Sequence, residues 1–440
     1  MKYIIHTVIC IIFLQQLNAQ TWIPQGEGSL PVGYNIMSIS PVDNHIIWMT
    51  ASLESVALSG SPVPFDHKLK VLRSQDGGLT WDIYNVRTGR FSFDIVGVDA
   101  NTAWVTTQTY GNGISNALFK TEDGGSTWIN KLNHPVAGVF IRRFDDTHLL
   151  AQTNDGVATS DDGGESWIID TIQDYLPQEF NTLAAGNNMV SFVGDTLWVG
   201  TTLGRVVRFT NYGAEFEMIY TGTIYLIQSL SFADHLHGMI FHYNGTTRAF
   251  GLSRTFDGGD TWELTPSKPQ TNKFYNITHV PGTPTTFVAV TDFTEDAAEY
   301  FWTTDFGATW TGGEIKDAQT NAVEFISPTT GWVSTGNITR QDEPVVYKWN
   351  SDLFTSIINE FNTLNNFTLY PNPAKDVISY SFDGASDKMH LQTIVDMHGH
   401  IILSNQSTKP VLNIGFLQQG NYFLKIQTDE GEVSSMFVKQ

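Results

Sequence analysis

Short apolar segments separated by polar turns run along most of the chain, and they predict strands rather than helices. Seven of these segments combine large apolar residues with small or β-branched ones over four or five positions, which is typical of buried strands. They span residues 46–50, 103–106, 149–152, 197–200, 238–241, 287–290 and 331–334. We interpret each segment as part of an inner hairpin, so the pattern predicts seven repeats.

A turn motif, Ser/Thr-x-Asp-x-Gly-x-Ser/Thr-Trp, recurs out of phase with these segments. Clean copies occupy residues 74–81, 121–128, 160–167, 255–262 and 303–310, and a degenerate copy occupies 209–216 with Asn211 at the aspartate position. We call the clean copies the Asp turns. Their aspartates and tryptophans are Asp76, Trp81, Asp123, Trp128, Asp162, Trp167, Asp257, Trp262, Asp305 and Trp310. Strand-like segments flank each copy, which is typical of a hairpin whose glycine adopts positive φ.

The chemistry of the Asp turns favours a structural role. The aspartate can accept hydrogen bonds from amides of its own turn, and the tryptophan is large enough to fill the space between neighbouring sheets. A catalytic site occurs once in a chain, whereas this motif occurs six times when the degenerate copy is included. We therefore interpret these residues as structural.

The repeated motif resembles the Asp-box (BNR) repeat of sialidase-like β-propellers. The steps from Asp76 through Asp123, Asp162, Asn211 and Asp257 to Asp305 are 47, 39, 49, 46 and 48 residues. Repeats of this length are typical of propellers with four strands per blade. The inner hairpins, such as residues 331–333, also resemble the propeller of photosystem II assembly factors. The expected fold class is all-β: a seven-bladed propeller over residues 20–350.

The seventh hairpin is followed by no Asp turn, and a matching strand stands at the other end of the chain. Residues 21–24 repeat the Thr-Trp-Ile pattern that follows the Asp turns, as at residues 127–129. We predict that residues 21–26 supply the outer strand of the last blade. Such closure would remove an exposed strand edge.

Residues 1–19 have the features of a signal peptide: Lys2, a mostly apolar run over residues 4–13 and a small residue, Ala19, before the expected cleavage point. No later segment is long and apolar enough to predict a membrane span. The sole cysteine, Cys10, lies within this peptide, so no disulfide is expected in the mature chain. The formal net charge of −21 argues against nucleic acid and anionic lipid as partners.

The pattern changes near residue 351, and a second small β-domain is predicted over residues 362–440 after a linker at 351–361. Its motifs resemble the type A C-terminal sorting domain of the type IX secretion system of Bacteroidota, which implies an Ig-like β-sandwich. The matching residues are Tyr370, Pro371, Asn372, Pro373, Gly420, Tyr422 and Lys439. The resemblance implies that the secretion machinery is a partner, and that the protein crosses the outer membrane to the cell surface or the medium.

The remaining candidates for chemistry are scattered along the chain. They are Arg90, Arg142, Arg143, Arg248 and Arg340; Asp66, Asp94, Glu295 and Asp296; Tyr110, Tyr175 and Tyr243; and His134, His148, His235 and His237. No spacing among them predicts a metal site or a cofactor site.

Two functions stay open. The first is a non-catalytic propeller that binds a glycan or a protein at the cell surface through the face opposite the Asp turns, where long loops at 52–68, 108–116, 170–188 and 291–299 should converge. The second is a glycoside hydrolase or lyase of sialidase-like or xyloglucanase-like type, which the propeller resemblance implies. The second would need a pair of carboxylates about 5–10 Å apart.

Overall fold

The computed structural model describes most of the chain between residues 22 and 440. The described ranges are 22–30, 32–53, 68–88, 92, 94–107, 117–132, 136–153, 156–171, 189–222, 226–244, 249–269, 274–291, 298–315, 320–336, 343, 345–351, 354, 368–381, 390–396, 401–417, 420–428 and 431–440. The expected signal peptide lies outside these residues, as does most of the expected linker.

Six sheets of four antiparallel strands follow one another along the chain, and each is a simple meander. Blade 1 contains β2 (Tyr34–Pro41), β3 (Ile47–Leu53), β4 (Lys68–Ser74) and β5 (Asp82–Thr88). Blade 2 contains β6 (Ile95–Gly97), β7 (Ala103–Thr107), β8 (Ala117–Thr121) and β9 (Ile129–Leu132). Blade 3 contains β10 (Val136–Arg143), β11 (Leu149–Thr153), β12 (Gly156–Ser160) and β13 (Ile168–Thr171).

The next three blades repeat the arrangement. Blade 4 contains β14 (Val190–Val193), β15 (Thr196–Gly200), β16 (Arg205–Thr210), a short 3-10 turn (Asn211–Gly213) and β17 (Glu215–Tyr220). Blade 5 contains β18 (Leu226–Phe232), β19 (Gly238–Asn244), β20 (Ala249–Thr255) and β21 (Glu263–Leu264). Blade 6 contains β22 (Phe274–His279), β23 (Phe287–Thr291), β24 (Ala298–Thr303) and β25 (Thr311–Ile315).

The seventh sheet joins the two ends of the propeller sequence. Its inner strands are β26 (Thr320–Ser327), β27 (Thr330–Thr335) and β28 (Val346–Trp349), and its outer strand is β1 (Trp22–Gln25). Trp22 pairs with Trp349 in this antiparallel ladder, and Gln25 pairs with Val346. The predicted ring closure by the N-terminal strand is confirmed, and the fold is a seven-bladed propeller.

The closing strand is held by aromatic packing as well as by backbone pairing. The Trp22 side chain is only 2% exposed. Its ring lies 5.0 Å from that of Trp349 and 5.8 Å from that of Tyr300, both in edge-to-face geometry. Phe354, which falls within the expected linker, is fully buried and stacks on Trp349 at 4.8 Å. The packing of the propeller therefore reaches beyond the expected boundary at residue 350.

The C-terminal domain is built from two sheets that share one core. A three-stranded sheet contains β29 (Thr368–Tyr370), β30 (Val377–Ser381) and β33 (Val411–Asn413). A four-stranded sheet contains β31 (His390–Asp396), β32 (Ile401–Ser407), β34 (Gly420–Thr428) and β35 (Gly431–Lys439). Buried residues from both sheets, including Ile378, Tyr380, Ile394 and Leu424, form one apolar cluster. This is the small β-sandwich that the sequence predicts. Within the described part of the chain, no helix has the length and apolar character needed to cross a membrane.

Candidate functional site

The Asp turns form one hydrogen-bonded design that repeats from blade to blade. In the first of them, Asp76 accepts hydrogen bonds from the amide of Thr80 at 2.9 Å and from its hydroxyl at 2.6 Å. The Ser74 hydroxyl donates to Asp76 at 2.9 Å and accepts from the amide of Gly78 at 2.8 Å. The turns centred on Asp123, Asp162, Asp257 and Asp305 make the same set of bonds. These bonds satisfy the turn amides that would otherwise lack a partner.

These hydrogen bonds lower the pKa values of the turn aspartates. The hydroxyl and amide of Ser166 bring the pKa of Asp162 down to about 2. The equivalent bonds from Thr127 lower the pKa of Asp123. The carboxylates of the Asp turns are therefore fixed as charged hydrogen-bond acceptors, which is the opposite of what a general acid needs.

The tryptophans of the Asp turns pack against the preceding blade. Trp128 contacts Trp48 of blade 1 edge-to-face, with ring centres 6.4 Å apart. Trp167 contacts Trp104 of blade 2 in the same way at 6.2 Å. Trp81, Trp262 and Trp310 likewise lie against apolar clusters that span two blades.

The degenerate copy keeps the turn but loses the carboxylate bonds. Asn211, Tyr212 and Gly213 all have positive φ, at 51°, 59° and 95°. The amide of Tyr212 donates to the carbonyl of Asp195, as the amide of Gly77 donates to that of His45 in blade 1. This shared bond places the Asp turns on the same rim as the turns between the first and second strands of each blade. We call this the Asp-turn rim.

Nine of the candidates lie outside the described residues. These are Asp66, Arg90, Tyr110, His134, Tyr175, Arg248, Glu295, Asp296 and Arg340. Other candidates fall on the Asp-turn rim: His148 pairs with Asp145, and His237 pairs with Asp234. His235 lies nearby, its ring 6.3 Å from that of Trp198. Tyr243 packs against Phe250 within blade 5. Within the described part of the chain, no group of three or more His, Cys, Asp or Glu side chains could hold a metal ion.

The central channel brings together candidates that the sequence left apart. A cavity of about 720 Å³ is lined by the innermost strands of all seven blades. Strand register places one residue of each blade at the same level: Ser40, Val96, Arg142, Ser191, Ser231, Thr278 and Glu324. We call this level the lumenal ring. The cavity lining also includes residues 281–282, which lie in the turn between the first and second strands of blade 6. Because such turns lie on the Asp-turn rim, the cavity extends from the lumenal ring towards that rim.

Hydroxyl groups of the lumenal ring tie neighbouring blades together. Ser40 accepts a hydrogen bond from the amide of Gly97 in the next blade at 3.0 Å. Ser191 and Ser231 accept in the same way from the following blade, at 2.9 and 2.8 Å. One residue pair further along the strands, Ser38, Asp94, Ser229 and Asn276 are almost completely buried. Of these four, Asn276 lines the cavity, whereas Ser38, Asp94 and Ser229 do not.

Asp94 and Arg142 form an ion pair inside the channel wall. Arg142 is 6% exposed and Asp94 is fully buried, and a guanidinium nitrogen of Arg142 donates to the Asp94 carboxylate. Asp94 also accepts from the amide of Ile141 at 2.9 Å and from the hydroxyl of Ser38 at 3.4 Å. Burial raises the pKa of Asp94, and the Arg142 guanidinium opposes that rise. This carboxylate connects three blades and has little room for a ligand.

Glu324 differs from Asp94 because its side chain is exposed to the lumen. The Thr278 hydroxyl of the preceding blade donates a hydrogen bond to the Glu324 carboxyl group at 3.5 Å. The enclosing protein raises the pKa of Glu324 to about 7, and the nearby Arg142 opposes that rise. His279, one position beyond the lumenal ring, is kept neutral because burial lowers its pKa to about 4.

Sequence reasoning considered Asp94 and Arg142 separately and did not single out Glu324. The signal that could have found this group of residues is the alternation of polar and apolar residues along the innermost strands. Aligned from their ends, these strands place serine, threonine, arginine or glutamate at one inward position in six of the seven blades. Register shifts within five of the strand pairs hide that alignment in the linear sequence.

In the C-terminal domain, the motif residues converge on the last strand. The side chain of Asn372 accepts the amide of Val438 at 3.0 Å, and Ala374 exchanges backbone bonds with Val438 and Gln440. Tyr370, Pro371 and Pro373 are exposed beside this junction. Lys439 is 7% exposed and pairs with Gly420, and Tyr422 stacks on Phe437 at 5.7 Å.

Residues 368–440 match the family of secretion system C-terminal sorting domains. The comparison with curated proteins finds no match. Among solved structures, the chain is similar to YCF48 bound to D1 peptide, with 16% identity, a TM-score of 0.54 and coverage of 76% of this chain and 99% of that one. It is also similar to YCF48 from Cyanidioschyzon merolae, with 16% identity, a TM-score of 0.53 and coverage of 75% and 99%.

These likenesses show the fold alone. The chain is also similar to the GH74 xyloglucanase from Xanthomonas campestris, with 12% identity, a TM-score of 0.49 and coverage of 82% of this chain and 59% of that one, a likeness too distant to assign an activity. The family match carries more information, because this domain directs export. The chain is a β-propeller followed by a C-terminal sorting domain of the type IX secretion system, and it is secreted across the outer membrane to the cell surface or the medium.

Proposed function

We propose that the protein is a non-catalytic propeller that binds a glycan or a protein at the cell surface. The observation that supports this proposal is the unequal state of two described acids at the channel, Asp94 in its wall and Glu324 in its lining. Asp94 is buried and ion-paired, whereas Glu324 is exposed to the lumen. A glycosidase needs two working carboxylates, one of them a nucleophile or base. Among the described residues that line the cavity, one accessible carboxylate lies among hydroxyl groups, which suits binding better than hydrolysis.

The alternative is a glycoside hydrolase, and one observation favours it. A carboxyl group whose pKa is raised to about 7, as at Glu324, has the property required of a general acid. Its partner would have to be Asp94 or one of the carboxylates outside the described residues. A single assay separates the two functions. The secreted protein is tested against a polysaccharide panel for both retention and release of reducing ends. Retention without release supports binding, and release that is lost in Glu324→Gln supports the enzyme.

We further propose that the Asp turns serve the fold and not the ligand. Their aspartates are saturated by hydrogen bonds of their own turn, and their tryptophans lie between blades. Substitutions there should lower stability while ligand affinity in the folded fraction stays unchanged.

The sorting function is proposed to belong to a separable unit over residues 362–440, whose own core supports it. In the native host, a chain that ends at residue 366 should fold but stay in the periplasm. Fusion of residues 362–440 to an inert periplasmic protein should carry that protein out of the cell. Normal export of the shortened chain would contradict this assignment.

A further inference from the structure

Among the described residues, the lining of the channel cavity combines a single accessible carboxylate with several hydroxyl groups. Glu324 extends into the lumen at the level of Ser40, Ser191 and Ser231. Each of these serines accepts a backbone amide of the next blade through its oxygen. Among the described residues, none of these three hydroxyl hydrogens is donated, and the ring can therefore meet a ligand that carries several hydroxyl groups.

The cations that line the channel near Glu324 are ion-paired with other acids, although Arg142 also acts on the Glu324 carboxyl electrostatically. Arg142 pairs with Asp94, and Arg143 pairs with Asp146. Among the described residues, no ion pair to Glu324 is formed, and its hydrogen bond with Thr278 is long. A positively charged ligand group would supply the ion pair that Glu324 does not form with any described residue.

An apolar collar follows the lumenal ring towards the Asp-turn rim. It is formed by Val42, Val98, Phe144, Val193 and Ala233, which occupy equivalent positions in successive blades and line the same cavity. A pyranose ring presents hydroxyl groups at its edge and C–H groups on its face. The polar lumenal ring matches the hydroxyl groups at the edge of the sugar, and the neighbouring apolar collar matches the C–H groups on its face. The volume of about 720 Å³ is within the usual range for a small-molecule site.

We propose that the channel binds an amino sugar whose protonated amine contacts the Glu324 carboxylate and whose hydroxyl groups contact the serines of the lumenal ring. This deepens the proposed function, because it rests on glycan binding and names the class of sugar. It also places the site on the Asp-turn side of the channel, whereas the sequence favoured the opposite rim.

Calorimetric titration of the full secreted chain tests the proposal with three matched sugars. Glucosamine carries the amine, glucose carries a hydroxyl group in its place, and N-acetylglucosamine carries a neutral amide. We expect glucosamine to bind at least about tenfold more tightly than either control, the effect of one hydrogen bond to a charged partner. Glu324→Gln should remove that preference. Glu314→Gln, which changes an exposed carboxylate on the outer strand β25, should leave it intact.

The outcomes separate this inference from the proposed function. Equal binding of glucosamine and glucose by the unaltered protein overturns the amine assignment without any variant, so the test does not depend on Glu324→Gln folding. Retained preference in a folded Glu324→Gln protein overturns the role of Glu324. In both cases, retention on the polysaccharide panel would leave the proposed glycan binding intact. Failure on the panel together with failure of all three sugars would overturn both.

Discussion

The Asp turns and the lumenal ring occupy equivalent positions in successive blades, yet they use repetition in opposite ways. The Asp turns keep the same residue types and the same bonds in five blades, because each blade must solve the same problem of turn amides and packing. In the lumenal ring, by contrast, the residue type differs between blades: it is serine in some and valine, arginine, threonine or glutamate in others. In a repeat protein, conformity therefore marks the scaffold, and departure from it marks the candidate site.

The largest effect on stability should come from opening the ring. Trp22→Ala removes a side chain that is 2% exposed and packs on three aromatic rings. We expect a loss of about 3–5 kcal/mol, the usual cost of truncating a buried aromatic residue. Urea unfolding followed by tryptophan fluorescence measures it. All twelve tryptophans precede residue 350, so the signal reports the propeller and not the sorting domain.

Ile23→Ala on the same strand is the matched control. Ile23 is 38% exposed, and its truncation should cost less than about 1 kcal/mol. Equal losses for the two variants would mean that the closing strand is held by its backbone ladder alone.

A loss of about 3–5 kcal/mol is also expected from breaking the buried pair of the channel wall. Arg142→Met leaves Asp94 buried and without its guanidinium partner, which is the costly half of such a pair. Arg143→Met breaks an ion pair whose Asp146 partner is 95% exposed, and should cost less than about 1 kcal/mol. The double variant Asp94→Asn/Arg142→Met should be more stable than Arg142→Met alone. If the double variant is less stable than Arg142→Met, the main role of Arg142 is not to offset the cost of burying the Asp94 charge.

A smaller effect, about 1–3 kcal/mol, should follow from removing one Asp-turn carboxylate. Asp305→Ala deprives Thr309 of two acceptors and Thr303 of one. Glu314→Ala, at an exposed position of the next strand, should change stability by less than about 0.5 kcal/mol. Affinity for any ligand of the folded protein should be the same in both variants. Loss of binding at unchanged stability would show that the Asp turns are functional after all.

The sequence predicted the fold well because the fold depends on repeated signals. Five copies of the Asp turn and seven buried segments give the blade count, and the isolated Trp22 segment gives the closure. The lumenal ring was not predicted, because serine and threonine on a strand are ordinary residues and their shared level depends on register across blades. Asp94 and Arg142 were candidates for catalysis, and their pairing emerges only when blades 2 and 3 are neighbours in space.

The last expected effect is a difference in pH dependence between the two regions. Glu324 has its pKa raised from 4.5 to about 7 in the folded protein, so between these values the folded state retains a proton that the unfolded chain has released. Stability from this group therefore falls as pH rises through that window. The turn carboxylate of Asp162 has its pKa lowered to about 2, so it stabilises above its ordinary value of 3.8 and loses that contribution only in acid. Melting temperatures are measured at pH 5 and pH 8. Relative to the unaltered protein, Glu324→Gln should have a higher melting temperature at pH 8 than at pH 5. The melting temperature of Asp162→Asn should lie below that of the unaltered protein by the same amount at both pH values. If the difference for Glu324→Gln is also the same at both pH values, the lumen does not perturb the Glu324 carboxyl group.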